Sequence, residues 1–256
     1  MIPLTRSLLR IKCLLKSQDA VAEVMDFITI VGILLLSFSI IGVAGYPVLR
    51  DAQETKYVEN TRLSFVVLAD NINKIALGQA PSQNLELKLY GGRLSVTRES
   101  TIKINATNST DHEVTLYFDL MGNIQNSIGD TVVTYEGTGV WVKYPNGVIL
   151  NAYKPLIINQ SNMLVIPVVR ISSNYSTGGT GISSIRAEGE PGVTLYSNMR
   201  NITITITGNY VSGWKDYFSN INEMIWETGD TYTARLNTST NLDVYILSTD
   251  MRTVIK

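Results

Sequence analysis

The spacing of apolar residues changes twice along the chain, and the changes divide it into three stretches. Phe27 to Tyr46 is one uncharged apolar run, FITIVGILLLSFSIIGVAGY. A bilayer core of about 30 Å is crossed by about 20 apolar residues in helical form, so this run predicts a transmembrane helix over 20–47. Beyond it the spacing predicts a second helical stretch, an amphipathic stalk over 48–77. Its first part, RDAQETKYVENTR, is mostly polar and suits water. Its second part repeats Phe65, Leu68, Ala69, Ile72 and Ile75 at three- and four-residue intervals, one apolar stripe made to lie on a sheet. Pro47 is expected to bend or briefly interrupt the helix, and Gly78 with Pro81 to end it.

From Leu85 the apolar period falls to two, the signature of strands. Leu85, Leu87 and Leu89 share a face, and Gly91-Gly92 offers a two-residue hairpin turn into Leu94-Ser95-Val96. Further strands are expected at 102–104, 114–118, 132–135 and 140–144, the last turned by Pro145-Asn146-Gly147 into 148–150. Met163 to Ile171 reads as a longer apolar strand whose Pro167 argues for an edge or a bulge. Ile202, Ile204 and Ile206 alternate with threonines most cleanly of all. One late helix is expected from Gly213 to Glu227, with Trp214, Tyr217, Phe218, Ile221, Met224 and Ile225 on one face; such a face is more often core than a binding stripe. Strands close the chain at 232–236 and 242–247, and Ser176 to Gly181 reads as its most flexible loop. The expected fold class is therefore α+β. A long N-terminal helix, first membrane-spanning and then amphipathic, packs on a mainly antiparallel β-rich external domain over 84–256.

Charge gives this arrangement a direction. The lead over 1–19 carries Arg6, Arg10, Lys12 and Lys16 with no acid before Asp19, whereas the far flank mixes Arg50 and Lys56 with Asp51 and Glu54. Basic residues stay on the cytoplasmic side, so the N-terminus is expected inside and the bulk of the chain outside the cell. Overall, 21 Lys and Arg face 22 Asp and Glu. That balance lacks the concentrated basic face that nucleic-acid binding requires, and no such partner is expected.

Little in the chain carries chemistry. Cys13 is the one cysteine, so no disulfide can form within the chain, and His112, the one histidine, sits among turn residues and reads as solvated. Ser-His, Cys-His and zinc chemistry are poorly supported. Asp111, Glu113, Asp119, Asp130, Glu188 and Glu190 form no spaced acidic loop and read as solvated loop residues. No catalytic, cofactor-binding or metal-binding residue is assigned, no cofactor is expected, and an enzyme is the least favoured class. N-glycosylation sequons start at Asn105, Asn108, Asn159, Asn174, Asn201 and Asn237, all on the expected outer side.

The lead itself resembles something known. Its basic residues, then Gln18-Asp19-Ala20-Val21-Ala22-Glu23-Val24-Met25, then an apolar helix, resemble the class III signal and N-terminal helix of archaeal type IV pilin-like proteins. The resemblance implies that a prepilin-type peptidase cuts before the helix, within Lys16-Ser17-Gln18-Asp19. It also implies that Glu23 helps subunits assemble, because Glu23 is the fifth mature residue if cutting follows Gln18. Gly45-Tyr46-Pro47, Asp51-Ala52-Gln53-Glu54, Leu89-Tyr90-Gly91-Gly92-Arg93-Leu94, Gly139-Val140-Trp141, Ile166-Pro167-Val168-Val169-Arg170 and Gly213-Trp214-Lys215-Asp216-Tyr217-Phe218 are similar to a group of archaeal membrane-anchored proteins of unknown function. The implied partners are the lipid bilayer, the peptidase, other pilin-like subunits and the cell envelope. The implied role is structural or surface-interacting, the alternative being a ligand-binding or adhesion module that never assembles.

Overall fold

The structure is a computed structural model that describes residues 5–256 apart from 161, 174, 222–223, 226–230 and 237–240; for 5–20, 224–225 and 234–236 it describes the backbone alone. The chain divides into two compact units, residues 1–53 and 54–256. The first unit is helical. The helix α1 runs from Thr5 to Ala76, and its part in this unit holds the apolar run with every side chain from Val21 to Ile30 exposed. The expected interruption at Pro47 does not occur, and the helix continues through it. Proline removes one amide donor, a local loss that the flanking turns absorb.

In the second unit α1 continues to Ala76 and ends where the sequence says it should. Gly78 takes φ +71, its N–H reaches the Ile75 carbonyl, and the Gln79 N–H reaches the Lys74 carbonyl. This pair of bonds satisfies the last free carbonyls of a helix and suits a residue without a Cβ. The apolar stripe is buried in full: Phe65, Leu68, Ala69, Ile72 and Ile75 are each at most 2% exposed.

The rest is mainly antiparallel sheet, as expected. The strands are β1 (Ser82–Lys88), β2 (Arg93–Thr107), β3 (Glu113–Ile128), β4 (Thr131–Glu136), β5 (Gly139–Lys143), β6 (Ile149–Tyr153), β7 (Ile158–Gln160), β8 (Met163–Ile171), β9 (Tyr175–Gly178), β10 (Ile182–Thr207), β11 (Met224–Ile225), β12 (Thr231–Leu236) and β13 (Leu242–Ile255), with helix α2 (Val211–Ser219) between β10 and β11. Their order is β6-β5-β4-β3-β2-β10-β13-β8-β7. The spine is β10. Its first part pairs with β1 and β13, and its last part, beyond a register shift near Met199, pairs with β2 and β12.

Two cores flank this spine. One lies under the α1 stripe and gathers Leu94, Val96, Ile124, Tyr135, Val140, Val169 and Ile171. The other gathers Ile102, Ile104, Ile202, Ile204, Ile206, Val244 and Ile246 with Trp214 and Phe218 of α2. The alternating isoleucines of β10 thus face inward as their pattern predicts, and burying each stabilises the fold by about 1.5–3 kcal/mol before chain entropy is counted.

Four local expectations are corrected. Gly91-Gly92 does not join a hairpin: β1 pairs with β10, and β2 pairs with β3, β9 and β10. Leu87 and Leu89 gain a place under α1 that way, which a two-stranded hairpin would not supply. Ser176 to Gly178 is not loop but part of β9, held along β2. The late helix stops at Ser219, and Met224–Ile225 is a strand paired with β12. Asp119, Glu113, Glu188 and Glu190 lie on strands, and only Asp111 and Asp130 lie in turns. Pro167 does lie on an edge, because β7 covers β8 only from Met163 to Val165.

Candidate functional site

The strongest buried chemistry gathers at the β4–β5 turn. Gly137 and Thr138 take φ +56 and +67, the left-handed pair that a two-residue hairpin turn requires. A Cβ on Gly137 would lie 2.5 Å from Cζ2 of Trp214, so glycine is also needed for close approach. The Thr138 hydroxyl donates to the Gly137 carbonyl at 2.6 Å and accepts the Leu156 N–H at 2.9 Å. Asn73 on α1 donates its amide to the Thr138 carbonyl at 2.9 Å and accepts the Tyr135 hydroxyl at 3.0 Å. One turn therefore ties α1 to the sheet.

Glu136, just before the turn, is fully buried. Its carboxyl accepts from Ser100 Oγ at 2.5 Å and from Trp214 Nε1 at 3.0 Å, and its backbone carbonyl accepts Trp141 Nε1 at 3.2 Å. Burial pushes the carboxyl above its ordinary range, partly offset by the bonds from Ser100, Trp214 and Asn123. A carboxyl with no exposed surface joins β2, β3 and α2 to β4, and the backbone carbonyl of the same residue adds β5. It is a structural tie.

A second polar junction is half-buried. Arg170 on β8 bonds to Asp119 on β3 and to Asp250 on β13. Burial opposes ionisation of Asp119, but the Arg170 guanidinium and the Leu120 N–H hold its carboxyl below the usual carboxylate range. The same two carboxylates hold the Arg170 guanidinium more firmly protonated than usual. Among the described residues no group of three or more His, Cys, Asp or Glu could hold a metal ion.

The described surface of this unit includes two concavities with mixed polar and apolar walls. A shallow groove of about 720 Å³ runs over β1, β10 and β13, where Asn84, Ser184, Arg186, Glu188, Arg252 and Lys256 line it. Arg186 pairs with Glu188 at 3.5 Å, so its charge is mixed. A smaller cleft of about 410 Å³ lies between α2 and the β6–β7 connection and is lined by amides, Tyr217 and two isoleucines. Burial pushes the Tyr217 hydroxyl up to about 12, and it donates to the Pro155 carbonyl at 3.0 Å.

The residues singled out from sequence fall in scattered places. Lys16, Ser17, Gln18 and Asp19 lie on the backbone of α1, and Glu23 lies exposed on the same helix. Asn105 is on β2, where its amide donates to Glu113 and accepts from Thr115. Asn108 caps the β2–β3 turn by accepting from Thr110 and His112 backbone N–H groups. Asn159 is exposed on β7, and Asn201 is exposed on β10 at φ +51. Asn174 and Asn237 lie outside the described residues. His112 is exposed, its Nδ1 3.1 Å from Thr110 Oγ1.

Glu136, Asn73 and the Arg170 junction were missed from sequence. Asn73 had a signal, being a polar residue beside the apolar stripe at Ile72. Glu136 had a weaker one, an acid at the end of the strand-like run Val132-Val133-Thr134-Tyr135.

The helix holding the apolar run is long and apolar enough to cross a membrane, with mean hydropathy 2.6 in its most apolar window and none of that window buried. No curated protein and no solved structure matches the chain. Residues 20–254, nearly all of the chain, fit the model of a family of unknown function (DUF7289), and the chain belongs to that family.

Proposed function

We propose that this chain is a single-pass, membrane-anchored, pilin-like surface protein with a structural or surface-interaction role and no catalytic one. The observation that carries the reading is the apolar run of α1, whose large apolar side chains are exposed and whose N-terminal flank is basic. Exposed Phe27, Phe38, Ile40 and Ile41 would be costly in water and are at home in lipid. The basic lead puts the N-terminus in the cytoplasm and the β-rich unit outside the cell.

The archaeal type IV pilin resemblance supplies the finer reading. A prepilin-type peptidase removes the lead after Ser17 or Gln18, and Glu23 then serves contacts with other pilin-like subunits. Sequencing the N-terminus of the mature protein tests this. A start at Gln18 or Asp19 is expected, and an intact Met1 lead would remove the filament reading while leaving the anchor.

A second reading, a surface module that binds cell-envelope ligands without assembling, is favoured by the cleft beside α2. Electron microscopy of cells with and without the protein separates the two, since only the first predicts a missing filament.

A further inference from the structure

We infer that the cleft between α2 and the β6–β7 connection is a subsite for a neutral pyranose. Its walls combine the two things that a sugar ring needs. Tyr217, Ile157 and Ile221 supply apolar and aromatic surface for the C–H face of the ring. Asn151, Asn159 and Asn220 supply amides, each able to donate and accept, for vicinal hydroxyls.

The amides are set in place by the fold. Asn220 donates to the Asp216 carbonyl at 2.7 Å and Asn151 donates to the Tyr153 carbonyl at 3.0 Å. In each case the side-chain oxygen has no protein donor among the described residues. Tyr217 is fixed by its bond to Pro155 and by an edge contact with Trp214 at 6.1 Å, so its ring is a rigid wall. Such anchoring lowers the ordering cost of binding.

Charge narrows the ligand class. Lys154 and Asp216 are the charged residues of the lining, one of each sign. The cleft therefore favours neither an anion nor a cation. A volume of about 410 Å³ accommodates one or two sugar rings.

The sugar has two sources. Asn159 lines the cleft and begins the sequon Asn159-Gln160-Ser161, so a glycan attached there lies next to the subsite. The other source is a free surface polysaccharide. The subsite itself depends on neither membrane anchoring nor filament assembly.

The test uses the full chain, made in a host that does not glycosylate it and held in a detergent without a sugar headgroup. Calorimetric titration with maltotriose and with chitotriose, up to about 10 mM, is expected to give saturable binding of at least one of them. Asn220→Ala and Tyr217→Ala are each expected to weaken it about tenfold, the size of one or two lost contacts. Thermal unfolding of each variant is measured alongside, and if Tyr217→Ala fails to fold, Asn220→Ala alone decides. No saturable binding of either sugar by the wild-type chain, or equal affinity in a folded Asn220→Ala chain, overturns the proposal. Peptide mass analysis of native protein then assigns the source: a glycan on Asn159 marks the tethered sugar, and an unmodified Asn159 marks the free one.

Discussion

Asn73 reaches across 65 positions of sequence to donate its amide to the carbonyl of Thr138 at 2.9 Å, in a site where both residues are buried. The bond joins the last turns of α1 to the tip of the β4–β5 hairpin. The same amide accepts the Tyr135 hydroxyl, so its removal strands two polar groups at once.

Asn73→Leu is therefore expected to destabilise the β-rich unit by about 2–4 kcal/mol, since each buried group left unpaired costs about 1–3 kcal/mol. Asn73→Asp keeps the acceptor and loses the donor, and is expected to cost less than Asn73→Leu at low pH, where the acid is protonated and can donate. Denaturant midpoints of the two variants, taken at two pH values, check this.

Gly137→Ala is expected to be more damaging than its size suggests. The backbone there has φ +56, and the added Cβ would meet the Trp214 ring at 2.5 Å. Backbone strain of about 1–3 kcal/mol adds to displacement of Trp214. The expected signature is a blue- or red-shifted tryptophan emission together with a lower Tm, whereas Gly147→Ala, at φ +82 with open space around its Cβ, lowers Tm only through strain.

Glu136 makes stability fall as pH rises. Its folded pKa lies above the ordinary 4.5 because the carboxyl is buried. The folded state then binds the proton more tightly than the unfolded chain, so its contribution is greatest below about 4.5. That contribution is lost as pH climbs from the ordinary value through the raised folded one. Glu136→Gln is expected to flatten this part of a Tm-against-pH curve. A slope unchanged by the substitution would assign it to another group.

Asp119 acts with the opposite sign. Its folded pKa lies below its ordinary value, so its contribution is present above that value and is lost as pH falls through the depressed one. Arg170→Met is expected to remove this acid-side loss and to cost about 1–2 kcal/mol at neutral pH, discounted because the pair is partly solvated. Acid unfolding midpoints of wild type and variant give the comparison.

Glu23→Gln tests the subunit reading in cells. If Glu23 aids assembly, the variant is expected to stay in the membrane at normal abundance while surface filaments fall several-fold. Equal filament numbers in both strains would leave Glu23 without that role.

Much of this protein was readable along the chain because its signals are local and periodic. The uncharged run 27–46 is visible at any position in any fold, since a bilayer selects on length and apolarity alone. The Phe65–Ile75 stripe and the Ile202–Ile206 alternation declared their buried faces, because helix and strand each repeat a face at a fixed interval. Gly78 announced the end of α1 through a backbone angle that other residues resist. Strand partners were not readable. Gly91-Gly92 offers a good hairpin turn, yet β1 pairs with β10 some 100 positions away because that register also places Leu87 under α1. The sites of Glu136 and Arg170 were equally hidden. Each draws its partners from strands and helices distant in sequence, and only the packed sheet brings Ser100, Trp214 and Glu136, or Asp119, Arg170 and Asp250, within bonding distance. Local pattern determined the elements and the apolar run, whereas long-range pairing decided which polar groups meet.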